Sequence, residues 1–153
     1  MSLGAFSASL QKALSLHQAG QFDEARAIYN SLLQENASHP DALNLAGLLE
    51  FEDGNYERAI ELIKKATKCS SDNFQFHNNL GSVYASNAKI ELAVKCFETA
   101  LKINPKFNLA YENLGNALMD LGRFHEAIEQ YRKIITLLPK QEDGHVYLAA
   151  AFN

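Results

Sequence analysis

The sequence predicts an all-α fold built from stacked helix pairs. Three observations predict it: small residues recur every 34 positions, apolar residues follow helical spacing, and a turn-forming residue divides each block of 34. The chain has 153 residues, the size of one domain, so one architecture must account for nearly all of it. Its composition, 47% hydrophobic and 21% charged, is typical of a folded globular protein.

The repeat is defined by three series of small or turn-forming residues. The series are Ala13, Gly47, Gly81, Gly115 and Ala149; Ala25, Ala59, Ala93 and Ala127; and Gly20, Gly54, Ala88 and Gly122. A fixed period of this length is typical of helical repeat proteins. The first two series place small side chains where helices cross closely. The third series places a helix breaker in the middle of each block.

The period divides the chain into four full blocks and a partial one, which we expect to form a single domain over residues 6–153. The blocks are residues 6–39, 40–73, 74–107, 108–141 and 142–153, and residues 1–5 are expected to be a tail. Each full block predicts two helices, which must stack on their neighbours to bury their apolar faces. The result is four helix pairs plus one extra C-terminal helix, which is either a cap or the beginning of a fifth repeat.

Apolar spacing predicts the helices themselves, most clearly in the third and fourth blocks. The first helix of the fourth block carries Tyr111, Leu114, Gly115 and Leu118 at the i, i+3, i+4 and i+7 positions of one helical face. Its second helix carries Phe124, Ala127, Ile128, Tyr131, Ile134 and Ile135. Pro139 is expected to end that helix, because proline lacks the backbone donor and clashes with the preceding turn.

The spacing of these residues resembles that of the tetratricopeptide repeat. The third block matches the pattern best, with His77, Leu80, Gly81, Tyr84, Ala93, Phe97 and Pro105. The fourth block also matches, whereas the second and first are looser and carry Ser71 and Ala37 where proline is usual. The resemblance implies a right-handed α-α superhelix, or solenoid. It also implies that the first helices line a concave groove that binds a protein or peptide.

Helical phase within this resemblance gives a set of candidate groove residues. They are Asn44, Leu45, Leu48, Phe51, Asn78, Asn79, Ser82, Glu112, Asn113, Asn116 and Met119. The first block contributes Leu10, Gln11, Leu14 and His17 to the same face. The N-terminal half of the groove is therefore expected to be apolar, and the C-terminal half to be rich in asparagine.

Each half of the predicted groove has more than one interpretation. The leucines and Phe51 either pack inside the repeat, form an apolar peptide pocket, or form a self-association patch. The asparagines either solvate a helix face or bind a peptide main chain. Asn79 and Asn113, one repeat apart, are similar to the asparagine ladder of the O-linked N-acetylglucosamine transferases. The basic clamp for chaperone C-termini is missing, since Asn78 and Asn79 occupy positions that would need basic residues.

Composition argues against several other classes of function. The formal net charge is −4 and no dense basic stripe is present, so no nucleic-acid partner is expected. No apolar stretch approaches the roughly 20 residues that cross a bilayer, so no membrane segment is expected. No catalytic, metal-binding or cofactor-binding motif is found, and the five histidines are scattered. The two cysteines, Cys69 and Cys96, fit a reducing compartment, and we expect a cytoplasmic protein.

The sequence therefore predicts a non-catalytic protein-interaction module for a protein or peptide partner. One alternative is an N-terminal recruiting or regulatory region of a larger enzyme, of the glycosyltransferase or methyltransferase type. The other is a self-assembling scaffold, which would make the chain a homo-oligomer.

Overall fold

The structure, a computed structural model, describes residues 3–137 and consists of α-helices joined by short turns. The helices are α1 (Leu3–Gln18), α2 (Phe22–Glu35), α3 (Pro40–Glu52), α4 (Tyr56–Cys69), α5 (Phe74–Ser86), α6 (Ile90–Ile103), α7 (Asn108–Asp120) and α8 (Phe124–Leu137). No strand occurs within this range, so the predicted all-α class is confirmed. The extra C-terminal helix predicted over residues 142–153 lies outside the described residues.

The helix boundaries follow the predicted blocks with one correction. The first helices of the second, third and fourth blocks begin at the expected residues, Pro40, Phe74 and Asn108. Proline suits the first turn of α3, because the N–H that it lacks would have no partner there. α1 begins at Leu3, so residues 3–5 are helical rather than part of a tail. Residues 3–5 contain no proline, so the helix can begin ahead of the first repeat.

The helix pairs form two compact units, divided in sequence between Asp72 and Asn73. Unit 1 contains α1 to α4, and the described part of unit 2 contains α5 to α8. In unit 1 each helix packs on the next, and the first helices α1 and α3 are also neighbours. The same arrangement recurs in unit 2, where α5 lies beside α7. The single domain expected over residues 6–153 stays a prediction.

Close helix crossings explain the glycines of the first series. A Cβ added to Gly81 would lie 2.5 Å from Cε1 of Phe97, and one added to Gly115 would overlap the ring of Tyr131. Phe97 is only 1% exposed, so its ring cannot swing away into solvent. The prediction that these small residues permit close crossings is confirmed.

The turn inside each helix pair is closed by the same backbone hydrogen bonds. In the first repeat the N–H of Gln21 donates to the carbonyl of Leu16 at 2.9 Å, and equivalent bonds occur in the other three repeats. This pattern requires a residue with left-handed backbone geometry just after the helix. That residue is Gly20, Gly54, Ala88 or Gly122, with φ values of 75°, 79°, 54° and 71°. The predicted helix breakers are therefore confirmed, and Ala88 adopts a conformation that normally favours glycine.

Candidate functional site

The first helices of the repeats hold the residues that the sequence marks as candidates for binding. Among these candidates, Asn116 is exposed, whereas Asn44 and Asn78 are buried. The remaining candidates are half-buried: Leu45, Leu48, Phe51, Asn79, Ser82, Glu112, Asn113 and Met119. The role of these residues in binding stays a prediction, and the contacts of each unit indicate which of them lie together.

Unit 1 contains a cavity of about 380 Å³ between α1 and α3, which we call the leucine cavity. Its lining residues are Leu14, His17, Gln18, Gly20, Phe22, Leu45, Leu48 and Glu52. Two of the candidates, Leu45 and Leu48, thus lie in one wall. The candidate Phe51 is not part of the lining, and its ring packs on Tyr56 with the centroids 6.0 Å apart. The volume falls within the range of about 300–1,000 Å³ that is usual for ligand pockets.

His17 is the buried polar residue of the leucine cavity, with 8% of its surface exposed. Its Nε2 lies 3.1 Å from Oε2 of Glu52. The two groups lack the alignment of a hydrogen bond, and Nε2 has no hydrogen-bond partner among the described residues. Its Nδ1 lies 3.5 Å from the hydroxyl of Tyr29. Burial, together with the nearby charge of Glu52, raises the pKa of Tyr29 to about 12.

Three acidic residues surround the C-terminal end of α3, and one arginine pairs with two of them. Arg26 of α2 forms ion pairs with Glu50 and Asp53. Glu52 instead faces His17, and its side chain is 49% exposed. Because a histidine is not permanently charged, Glu52 is the least compensated carboxylate of the three and lies at the leucine cavity.

Unit 2 carries Asn113 and Asn116 at the positions that are equivalent to Leu45 and Leu48 of unit 1. The Nδ2 of Asn113 donates a hydrogen bond to Oδ1 of Asn78 at 3.0 Å, which joins α7 to α5. Asn78 is 4% exposed, so its amide belongs to the packed interior of this face. Ser82 Oγ donates to the backbone carbonyl of Asn78 at 3.2 Å. The two first helices of unit 2 are thus joined by a partly buried polar contact.

Asn116 lies one helical turn after Asn113, and we call these two residues the amide pair. The hydroxyl of Tyr131 donates to Oδ1 of Asn116 at 2.9 Å. Burial, followed by the negative charges of Asp120 and Glu112, raises the pKa of Tyr131, so its hydroxyl retains the donated proton. Within residues 3–137 the amide pair forms no further hydrogen bond. Oδ1 of Asn113 and Nδ2 of Asn116 are therefore available at this surface.

Two of these contacts follow a spacing that differs from the repeat period by one. His17 and Glu52 are 35 residues apart, and so are Asn78 and Asn113. A side chain on the first helix of one repeat therefore contacts the first helix of the next repeat. The residue that it contacts there comes one position after its own equivalent. Glu52 was not selected as a candidate from the sequence, and a search at a spacing of 35 would have found it.

Residues 3–137 contain neither a metal-binding cluster nor a membrane-spanning helix. Among residues 3–137, no three His, Cys, Asp or Glu side chains come together in a way that could hold a metal ion. None of the helices α1 to α8 is both long and apolar enough to cross a membrane.

Comparison with known proteins adds to these observations. The model of the tetratricopeptide repeat family matches residues 10–74 and 78–142. A similar protein, the small glutamine-rich tetratricopeptide repeat-containing protein 2 of Mycosarcoma maydis, is 30% identical over 117 residues, which are 76% of this chain and 33% of that protein. The crystal structure of MamA protein matches with a TM-score of 0.86 and 22% identity over 96% of this chain and 80% of that one.

A second solved structure, YrrB, is described as a tetratricopeptide repeat protein with an unusual peptide-binding site. It matches with a TM-score of 0.79 and 22% identity over 94% of this chain and 74% of that one. The chain spans 33%, 38% and 20% of the length of the first three curated relatives that it matches. The solved structures confirm the predicted helical solenoid fold, and the family model covers most of the sequence. The chain belongs to the tetratricopeptide repeat family.

Proposed function

We propose that the chain is a non-catalytic protein-interaction module that binds a peptide segment of a partner protein through the first helices of its repeats. In unit 2 the amide pair would contact the main chain of that peptide. One observation carries the proposal: Asn113 and Asn116 are each fixed by one hydrogen bond to the fold, yet they present opposite hydrogen-bonding groups.

The chemistry of the amide pair suits a peptide main chain. Asn113 presents an acceptor and Asn116 a donor, one helical turn apart on the same side of α7. Every peptide unit offers one donor and one acceptor, so the pair can bond a peptide whatever its side chains. Because both amides are already held in place, little of their conformational freedom remains to be lost on binding.

The family relationship supports the same function. YrrB is described as having a peptide-binding site, and it shares the fold of this chain. The two alternatives raised by the sequence, a recruiting region of a larger enzyme and a self-assembling scaffold, are not favoured by any particular contact among the described residues. Neither Cys69 nor Cys96 forms a disulfide bond among the described residues, which supports our proposal of a reducing, cytoplasmic setting.

The test uses a peptide selected from a displayed random library on the purified chain, with binding measured by fluorescence anisotropy. Asn116→Asp keeps the oxygen that accepts from Tyr131 but replaces the Nδ2 donor with a second acceptor. A peptide carbonyl would then face an oxygen instead of an N–H. We expect binding to weaken about tenfold, because one polar group loses its partner. The melting temperature should change no more than it does for other single substitutions at exposed positions.

Gln34→Glu is the matched control, since it makes the same amide-to-acid change at an exposed position of α2. It should leave affinity unchanged. If the combined Asn113→Ala and Asn116→Asp variant binds the selected peptides as tightly as the wild type does, the amide pair is not the site. If the library yields no binder, the proposed function itself fails.

A further inference from the structure

The leucine cavity of unit 1 leaves apolar surface uncovered by the fold. Leu45 and Leu48 are half-buried, whereas Ala46 and Leu49, which follow them in α3, are 6% and 1% exposed. The side of α3 that carries Ala46 and Leu49 is thus buried in the core of unit 1. Leu45 and Leu48 instead line the cavity, together with Leu14 from α1. A partner that inserts an aliphatic side chain here would remove this surface from water, which is favourable in proportion to the apolar area covered.

The same cavity contains a buried polar atom that the fold does not satisfy. His17 is more than nine-tenths buried, lines the cavity, and has no hydrogen-bond partner for Nε2 among the described residues. A buried polar group without a partner is destabilising. Nε2 is shielded from solvent and lies 3.1 Å from Oε2 of Glu52, so His17 forms a buried polar wall of the cavity, next to the Glu52 carboxylate that would meet the ligand.

Charge distribution indicates which residue should accompany the aliphatic side chain. Residues 1–72 carry six basic and ten acidic residues, whereas residues 73–153 carry eight of each, so unit 1 holds the whole formal charge of −4. Glu52 lies at the cavity with about half of its side chain exposed, and Arg26 is already paired with Glu50 and Asp53. A basic ligand group would therefore be attracted both by Glu52 and by the unit as a whole.

We propose that the leucine cavity binds an aliphatic side chain of a partner peptide that is followed by lysine or arginine, with the aliphatic group on Leu14, Leu45 and Leu48 and the basic group on Glu52. The inference rests on the proposed function, because it assumes that the chain binds peptides, but it concerns a different unit and different residues. Pairing of two copies through this cavity is disfavoured, since both copies of unit 1 carry the same negative charge and would repel each other.

The test measures binding of short labelled peptides by NMR titration of the amide signals of Leu45 and Leu48. The peptides share a glycine-serine host and differ at two central residues: Leu-Lys, Leu-Glu and Ser-Lys. The wild type should bind Leu-Lys about fivefold more tightly than Leu-Glu, as expected for one exposed ion pair, and about tenfold more tightly than Ser-Lys, as expected for one buried leucine side chain. Glu52→Gln should abolish the preference between Leu-Lys and Leu-Glu, and Glu52→Lys should reverse it.

Glu98→Lys is the matched control, because it makes the same change of charge at an exposed position of α6 in unit 2. It should leave the order of the peptides unchanged. Circular dichroism establishes that the Glu52 variants fold. If the wild type does not distinguish the three peptides, or if Glu52→Lys keeps the preference for Leu-Lys, the proposal is wrong.

The outcomes also separate the two proposals. If library-selected peptides still require the amide pair while none of the leucine peptides binds, the proposed function stands and the leucine cavity is not a peptide site. If no peptide of either kind binds, both proposals fail. If light scattering shows self-association that Leu48→Ser removes, a second copy occupies the cavity and the basic-peptide proposal is overturned.

Discussion

Unit 1 and unit 2 share a backbone plan but differ in what their first helices present. In unit 1, Leu45 and Leu48 line a cavity beside an acidic residue, whereas the equivalent positions of unit 2 hold Asn79 and Ser82. The positions that set the helix crossings vary less: glycine packs on a large side chain in both units. The difference shows that separate positions on the same helices carry the fold and the binding surface, so that one can change while the other is kept.

The crossings differ from repeat to repeat in how much change each one tolerates, and here we expect the largest effect. Gly81→Ala should lower the free energy of unfolding by roughly 2–3 kcal/mol, because the new methyl group meets three atoms of the buried Phe97 ring. Ala13→Gly, at the equivalent position of the first repeat, should cost only about 1 kcal/mol through lost helix propensity. Urea unfolding followed by circular dichroism measures both changes.

Two outcomes would contradict this account of the crossings. If Gly81→Ala stabilises the protein, the helices of the third repeat are not closely packed, and the glycine is retained for another reason. If both substitutions cost the same, the small residues of the first and third repeats have the same role, and the greater sensitivity of the third repeat is lost.

The second prediction concerns alkaline pH, where the buried tyrosine of unit 1 should weaken the fold. The pKa of Tyr29 is raised from 10.0 to about 12, so the unfolded state loses the proton at lower pH than the folded state does. The associated stability is fully present below pH 10 and is lost as the pH rises toward 12. Tyr29→Phe should therefore protect the protein at pH 12 by about 2 kcal/mol, measured by urea unfolding across this range.

The matched variant in unit 2 is Tyr131→Phe. The pKa of Tyr131 is also raised, so this variant should protect in the same direction, but it removes the hydrogen bond to Asn116. Tyr131→Phe should therefore lose about 1 kcal/mol at neutral pH, whereas Tyr29→Phe should lose little, since the Tyr29 hydroxyl is 3.5 Å from His17. If the two variants lose the same free energy of unfolding at neutral pH, the two tyrosines do not differ in this way between the units.

The sequence was sufficient to predict the helices, because each one depends on local spacing. The starts of α3, α5 and α7 were predicted at the correct residues, and so were the breakers between the helices. The start of α1 was placed too late, because residues before the first repeat equivalent carry no periodic signal. Local patterns of this kind can be recognised in a single sequence, because each repeat needs the same residue types at the same positions.

The candidate site was less accessible to prediction, because its contacts join residues from different helices. Leu45 and Leu48 were selected by helical phase, yet Glu52, which faces His17 across α1 and α3, was not. The offset that brings His17 to Glu52 and Asn78 to Asn113 depends on how neighbouring first helices slide past each other. Helical phase specifies which side of a helix a residue occupies, but the partner on the next helix is set by packing.

The smallest expected effect concerns the turns, where the third repeat departs from the other three. Ala88 has a φ of 54°, a left-handed geometry in which its Cβ is crowded, whereas Gly54 adopts a similar geometry without that cost. Ala88→Gly should relieve the crowding but also make the unfolded chain more flexible. We expect a net stabilisation of about 0.5–1 kcal/mol. The reverse change in unit 1, Gly54→Ala, should destabilise by about 1 kcal/mol, with both measured by thermal and urea unfolding.

If Ala88→Gly instead destabilises the protein, the Ala88 methyl group contributes more through its contacts than it costs through its backbone, and the turn of the third repeat is not the strained one.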